Sequence, residues 1–99
     1  MRDEQFRKFL ENDPSITSKQ KAVNSRLAKA RKVEEIFKVN LDDIVRDDEK
    51  TYKLLMSIKP IDRMGNYQNA VRKYYIFVNG IEFPSIAQYE YNRNKSKQL

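Results

Sequence analysis

Ninety-nine residues carry 20 lysines and arginines against 14 aspartates and glutamates, a net charge of +6, with neither cysteine nor histidine. The missing cysteines exclude a disulfide framework and a thiolate metal site. The missing histidines exclude the commonest general base and every Ser-His or Cys-His nucleophile pair.

A chain of this size folds around one modest core that buries roughly two-thirds of its unfolded surface. It has no run of about 18 apolar residues to cross a membrane. MRDEQFRKFL lacks the apolar segment of an export signal, so a cytoplasmic protein is expected. The positive charge is uneven: residues 19–40 come to +5 and 63–99 to +4, whereas 1–18 come to −1 and 41–62 to −2. Such asymmetry suits a polyanionic partner.

Alternating Val/Ile/Thr runs are missing, and helical periodicity recurs four times. The first helix is expected over about Arg2 to Asn12, with Phe6, Phe9 and Leu10 on one face and Asp13-Pro14 as its stop. The second and longest spans about Ser18 to Val39, with Ser18 as N-cap. A short turn at Leu41 to Val45 precedes a third helix from Asp48 to Lys59, capped by Asp47 or Asp48 and stopped by Pro60. The fourth spans Asn66 to Asn79, between the only two glycines, Gly65 and Gly80. In IEFPSIAQYEY, either Phe83 and Ile86 close the core or Pro84 starts a last helical turn. The expected fold is all-α, a compact bundle of four to five helices. One domain is expected over 1–90, followed by a basic, polar, disordered tail over 91–99.

A wheel at about 100° per residue separates the faces of the second helix. Ala22, Val23, Leu27, Ala30, Val33, Ile36 and Phe37 fall in a broad apolar arc facing the core. Opposite lie Lys21, Asn24, Ser25, Ala28, Arg31 and Lys32, with Glu35. Short residues let a helix approach a groove floor, and Lys and Arg reach phosphates on either side; the same pattern also fits a solvated helix face. Arg26 projects into the apolar arc, so its stem covers the core edge or its head meets a carboxylate. Glu34 and Glu35 either fix Arg31 or solvate the surface.

On the fourth helix Ala70, Val71, Tyr74, Phe77 and Val78 face inward with Tyr75 at the edge, so its aromatics are packing residues first. Its other face holds Gln68, Asn69 and Arg72, with Lys73 on the flank. Gln, Asn and Arg are the side chains able to make bidentate contacts to base edges. Backbone N–H groups at Asn66 and Tyr67 would be free to hold a phosphate. A polar turn selected only for capping fits the same residues.

Asp42, Asp43, Asp47, Asp48 and Glu49 have the oxygen chemistry of a Mg²⁺ site, but they sit where helix caps and a solvated acidic turn are needed. The capping role is the expected one. No metal, cofactor or catalysis is expected.

A Phe-Leu helix, a long basic helix, an acidic turn, a short Leu-rich helix and then NYQNAVRKYYIFV form an order that resembles a known family. It is similar to the SAM-like core-binding N-terminal domain of tyrosine recombinases, the phage integrases, whose last helix carries an S-x-x-N-x-x-L-x-x-L-R-x-F-Y-x-F type pattern. Ala70, Val71, Arg72, Lys73, Tyr74, Tyr75 and Phe77 match its small, apolar, basic and aromatic beats. The resemblance covers about Phe6 to Val78 and implies a domain that clamps one side of duplex DNA with its long second and last helices. It implicates Lys21, Asn24, Ser25, Ala28, Arg31 and Lys32, then Gln68, Asn69, Arg72 and Lys73. The recombinase catalytic domain is missing, so no tyrosine here reads as a strand-cleaving nucleophile.

The expected function is non-catalytic, sequence-tolerant binding of double-stranded DNA by the exposed faces of residues 18–39 and 66–79. The alternative is a small helical protein–protein interaction module, as a homodimer or on a regulatory partner.

Overall fold

The computed structural model describes residues 1–17 and 19–97. It is all-α: six helices and, among the described residues, no strand. They are α1 (Asp3–Glu11), α2 (Lys19–Phe37), α3 (Leu41–Val45), α4 (Asp48–Ile58), α5 (Asn66–Asn79) and α6 (Ile86–Lys97), with a turn of 3-10 helix at Lys59–Ile61 after α4. None is long and apolar enough to cross a membrane.

Local chemistry accounts for most boundaries. Asp3 and Glu4 open α1 and Lys8 lies in its last turn, matching the helix dipole at both ends. Asn40 caps α3 by accepting the Asp42 N–H, and Asp47 caps α4 by accepting those of Glu49 and Lys50. The N-cap expected at Ser18 lies outside the described residues. Gly80 ends α5 in the left-handed region, its N–H bonded to the Ile76 carbonyl at 2.7 Å.

Two boundaries differ from expectation. α2 stops at Phe37, two residues before Val39, because Lys38 adopts φ 54° and turns the Val39 N–H back onto the Glu34 carbonyl. No glycine or proline marks that stop. Ile36, expected in the core, is instead 44% exposed, since it sits at the margin of the arc in this last turn. At the other end of the chain, α6 carries regular helix through Lys97, and so through the first seven residues of the segment expected as a disordered tail. Leu99 and Gln98 lie outside the described residues.

α2 and α5 form the central pair; α1 lies against both, and α3 and α4 close the far side of α5. Phe6 and Leu10 from α1, Leu27 from α2, Leu41 from α3, Leu55 and Ile58 from α4 meet Val71 and Tyr74 in one core. Burying each such Leu, Ile or Phe contributes about 1.5–3 kcal/mol. Phe83, in the turn after α5, is buried against Tyr75 and Tyr89, so it closes the core, while the following Pro84 leads into α6.

Three tyrosines then tie this core to the acidic segment. The Tyr74 hydroxyl donates to Asp42 at 2.6 Å and accepts the Arg2 N–H at 2.9 Å. Tyr75 donates to Asp48 and Tyr89 to Glu49, each at 2.7 Å. Burial, reinforced by these carboxylates, pushes all three phenols up to about 12.

Candidate functional site

The ten side chains expected to face a nucleic acid do not share one surface. On the edge of α2 that faces α1, Arg31 Nε donates to Asp3 Oδ2 at 2.5 Å, and Arg7 Nη1 donates to Asn24 Oδ1 at 2.8 Å. Lys32 pairs with Glu35 one turn on at 3.7 Å. Glu34 is turned elsewhere and accepts the Leu41 N–H at 2.9 Å. Of the two alternatives for these glutamates, fixing Arg31 does not occur, since Arg31 pairs with Asp3 of α1, and Glu35 lies on the surface beside Lys32. Lys21 and Ala28 are exposed between the two edges.

The opposite edge of α2 meets α5. Ser25, Arg26 and Lys29 line a hollow of about 160 Å³ together with Asn66 and Asn69. A larger cleft of about 370 Å³ continues from it, walled by Arg26, Asn69, Arg72 and Lys73 and closed by Ile76, Glu82 and Phe83. Arg26 and Asn69 belong to both, so the two hollows form one groove. Of the expected residues it gathers Ser25, Asn69, Arg72 and Lys73. It leaves out Asn24 and Arg31, whose partners lie on α1. Lys29 and Arg31 stand about 160° apart at about 100° per residue, so one flat partner cannot lie against both.

The groove cations are held in different ways. Arg72 Nη1 donates to the Phe83 and Pro84 carbonyls, both at 3.0 Å, and the guanidinium lies 5.8 Å from the Phe83 ring centroid. Main-chain dipoles thus position this arginine without cancelling its charge. Burial lowers its pKa and Glu82 opposes that shift; a guanidinium stays protonated regardless. Lys73 Nζ donates to Asp13 Oδ2 at 2.6 Å and to Ser15 Oγ at 3.3 Å. The bond from Lys73, aided by Ser15, holds the Asp13 carboxyl well below the usual carboxylate range. Lys29 Nζ donates to Ser25 Oγ at 3.0 Å.

Arg26 settles in neither expected arrangement in full. It is half-buried along the core edge, but it makes no ion pair among the described residues. Its Nε is buried and has no hydrogen-bond partner there. Arg93 Nε is similarly bare, but the Arg93 head is occupied by Glu49 at 2.7 Å and by the Tyr52 ring. The side chains of Arg26 and Lys29 are not among the expected site residues, and Asn66 is expected there only through its backbone N–H. An arginine at an apolar wheel position was the visible sign for Arg26; Lys29 and Asn66 become neighbours only through the crossing of α2 and α5.

The N-terminus of α5 corrects another expectation. Asp62, 7% exposed, accepts the Tyr67 N–H at 3.2 Å and the Gln68 N–H at 2.9 Å. Of the two donors expected to be free for a phosphate, that of Tyr67 is thus occupied by the chain's own carboxylate, while Asp62 does not take the Asn66 N–H. Gly65, with φ 76°, lets the backbone fold back so that a residue three positions earlier can reach the Tyr67 and Gln68 N–H groups. Half-buried Gln68 sits inside this capped turn.

The acidic segment is likewise occupied: Asp42 by Tyr74 and Arg2, Asp48 by Tyr75, Glu49 by Tyr89 and Arg93, and Asp47 as a cap. Among the described residues no three carboxylates gather as a metal site. No family model, curated protein or solved structure matches the chain.

Proposed function

We propose that the chain is a non-catalytic, largely sequence-tolerant binding module for double-stranded DNA, and that it meets the phosphate backbone along the α2–α5 groove. One observation carries the reading. Arg26, Lys29 and Arg72 converge there with no ion pair among the described residues, Lys73 stands beside them already paired with Asp13, and Glu82 is the only carboxylate among the lining residues. Lysine and arginine contacts to phosphate position a protein on a duplex without reading its sequence, which supports tolerance. Asn66 and Asn69 are the lining amides with the chemistry to touch a base edge. This narrows the DNA-facing surface of the resemblance to core-binding domains, from two whole helix faces to the edge where they meet.

Binding measured by fluorescence anisotropy across a series of salt concentrations tests it. With about three phosphates engaged, log K against log salt falls with a slope of roughly −3. A chain that fails to retain duplex DNA even at low salt removes the reading.

A second reading rests on a different surface. Phe37, Val39, Ile44 and Leu54 line an open apolar hollow of about 390 Å³ between α2, α3 and α4, rimmed by Lys50 and Lys53. Exposed Ile36 and Met56 belong to the same two flanking helices. A protein-interaction module would use this side, and its association would respond little to salt. Light scattering at two salt concentrations separates the readings.

A further inference from the structure

We infer that the larger cleft of the groove is a discrete seat for one phosphate group, held between the guanidinium groups of Arg26 and Arg72. For its natural source, a backbone phosphodiester, this rests on the DNA reading; the seat itself is argued from geometry alone.

Arg72 is locked in place by two carbonyls on Nη1, so its Nε and Nη2 donors have no protein acceptor among the described residues. Arg26 reaches the same cleft from α2, with a buried Nε that lacks a partner. A buried N–H without an acceptor is costly, so the bare Arg26 Nε marks a guanidinium that its own fold leaves unsatisfied, and an oxyanion in the cleft would meet the outward donors of both arginines. A tetrahedral phosphate has enough oxygens to meet two planar forks at once, and such charge-assisted contacts are the strong ones. Asn69 lies on the same wall and adds an amide. Lys73 adds a cation already matched by Asp13, and Glu82 opposes an anion from the far wall, so the two arginines carry the site. The cleft, at about 370 Å³, exceeds the room one phosphate needs, and the adjoining hollow by Ser25 and Asn66 continues the path for a strand.

Titration of the full, isotope-labelled chain with inorganic phosphate at constant ionic strength, against chloride, reads the seat directly. The Arg26 and Arg72 Nε–H resonances shift saturably, while those of Arg31 and Arg93 stay still. Arg72→Lys, which keeps the charge and loses the fork, weakens phosphate binding by about tenfold. Because Arg72 also holds the Phe83–Pro84 turn, Arg26→Met provides an independent variant with the same expected loss. A non-saturating drift shared by all arginines overturns the seat, as does unchanged phosphate affinity in a folded Arg26→Met. A short duplex titrated in parallel distinguishes the sources. Duplex binding without the phosphate-induced shifts rejects the seat and leaves the DNA reading standing. Saturable phosphate binding without duplex binding supports the seat as a site for a free phosphate or phosphomonoester and removes the DNA reading.

Discussion

The two edges of α2 carry similar charge and have opposite fates. Facing α1, Arg31 is matched by Asp3 and Asn24 is taken by Arg7. Facing α5, Arg26 and Lys29 form no ion pair among the described residues, and the nearby Arg72 is anchored by main-chain carbonyls. A wheel drawn from sequence ranks these residues by angle and treats the edges alike. The difference lies in what the neighbouring helix brings: α1 opens with acidic residues, and the facing turn of α5 presents amides and an arginine. A cation becomes available to a partner only when its own fold leaves it unmatched.

That contrast can be broken most sharply by charge reversal. Lys29→Glu with Asn69→Asp puts two carboxylates into the groove and should lower duplex affinity on the order of 100-fold at low salt. Arg31→Glu with Lys32→Glu, a larger change of charge made away from the groove, should cost about fivefold or less. Anisotropy titrations on both pairs check this, and equal losses would erase the distinction between the edges.

A smaller effect should come from unmatching the quiet edge. Asp3→Asn unpairs Arg31 but leaves it on the edge a groove-bound duplex does not reach, so affinity should rise by about twofold or less and the salt slope should not change. A steeper slope would put Arg31 against the DNA and break the distinction between the edges.

Stability should separate the same regions. Tyr74→Phe removes the hydroxyl that joins Arg2 of the α1 approach to Asp42, and should cost about 1–2 kcal/mol in urea unfolding. The folded chain keeps its three tied tyrosines protonated up to about 12, whereas unfolded tyrosine ionises near about 10. Their stabilisation is therefore complete below pH about 10 and is lost as pH rises toward 12. Circular dichroism followed through that window should show cooperative unfolding, and Tyr74→Phe should shift its midpoint. Smallest of all, Lys38→Gly relieves a left-handed non-glycine residue and should raise stability by about 0.5–1 kcal/mol, with no effect on either edge.

Much of the fold was legible because its signals are local. Asp47 before a Leu-rich run, Pro14 after the first helix and glycines on both sides of NYQNAVRKYYIFVN are caps and stops that need no tertiary information. The end of α2 was misjudged because Lys38 closes it with a conformation that lysine seldom adopts. The groove was only half legible: Ser25, Asn69, Arg72 and Lys73 were on exposed faces, but nothing in a single helix says that Arg26 will lie beside Asn69. The capping of Tyr67 and Gln68 by Asp62 is hidden for the same reason, since Asp62 reaches them only because Gly65 bends the chain back.

The hold of the Phe83–Pro84 turn on Arg72 has a kinetic side. α6 leaves directly from that turn and is fastened to α4 chiefly by Tyr89 and Arg93 at Glu49 and by the Tyr52 ring. With so few apolar anchors, α6 is the helix whose amides should exchange with solvent first, well ahead of those in α2 and α5. Each such opening slackens the turn whose carbonyls aim the arginine. The pace at which the groove stiffens and loosens would then be set at Glu49, on the far side of α5, rather than by the cations themselves.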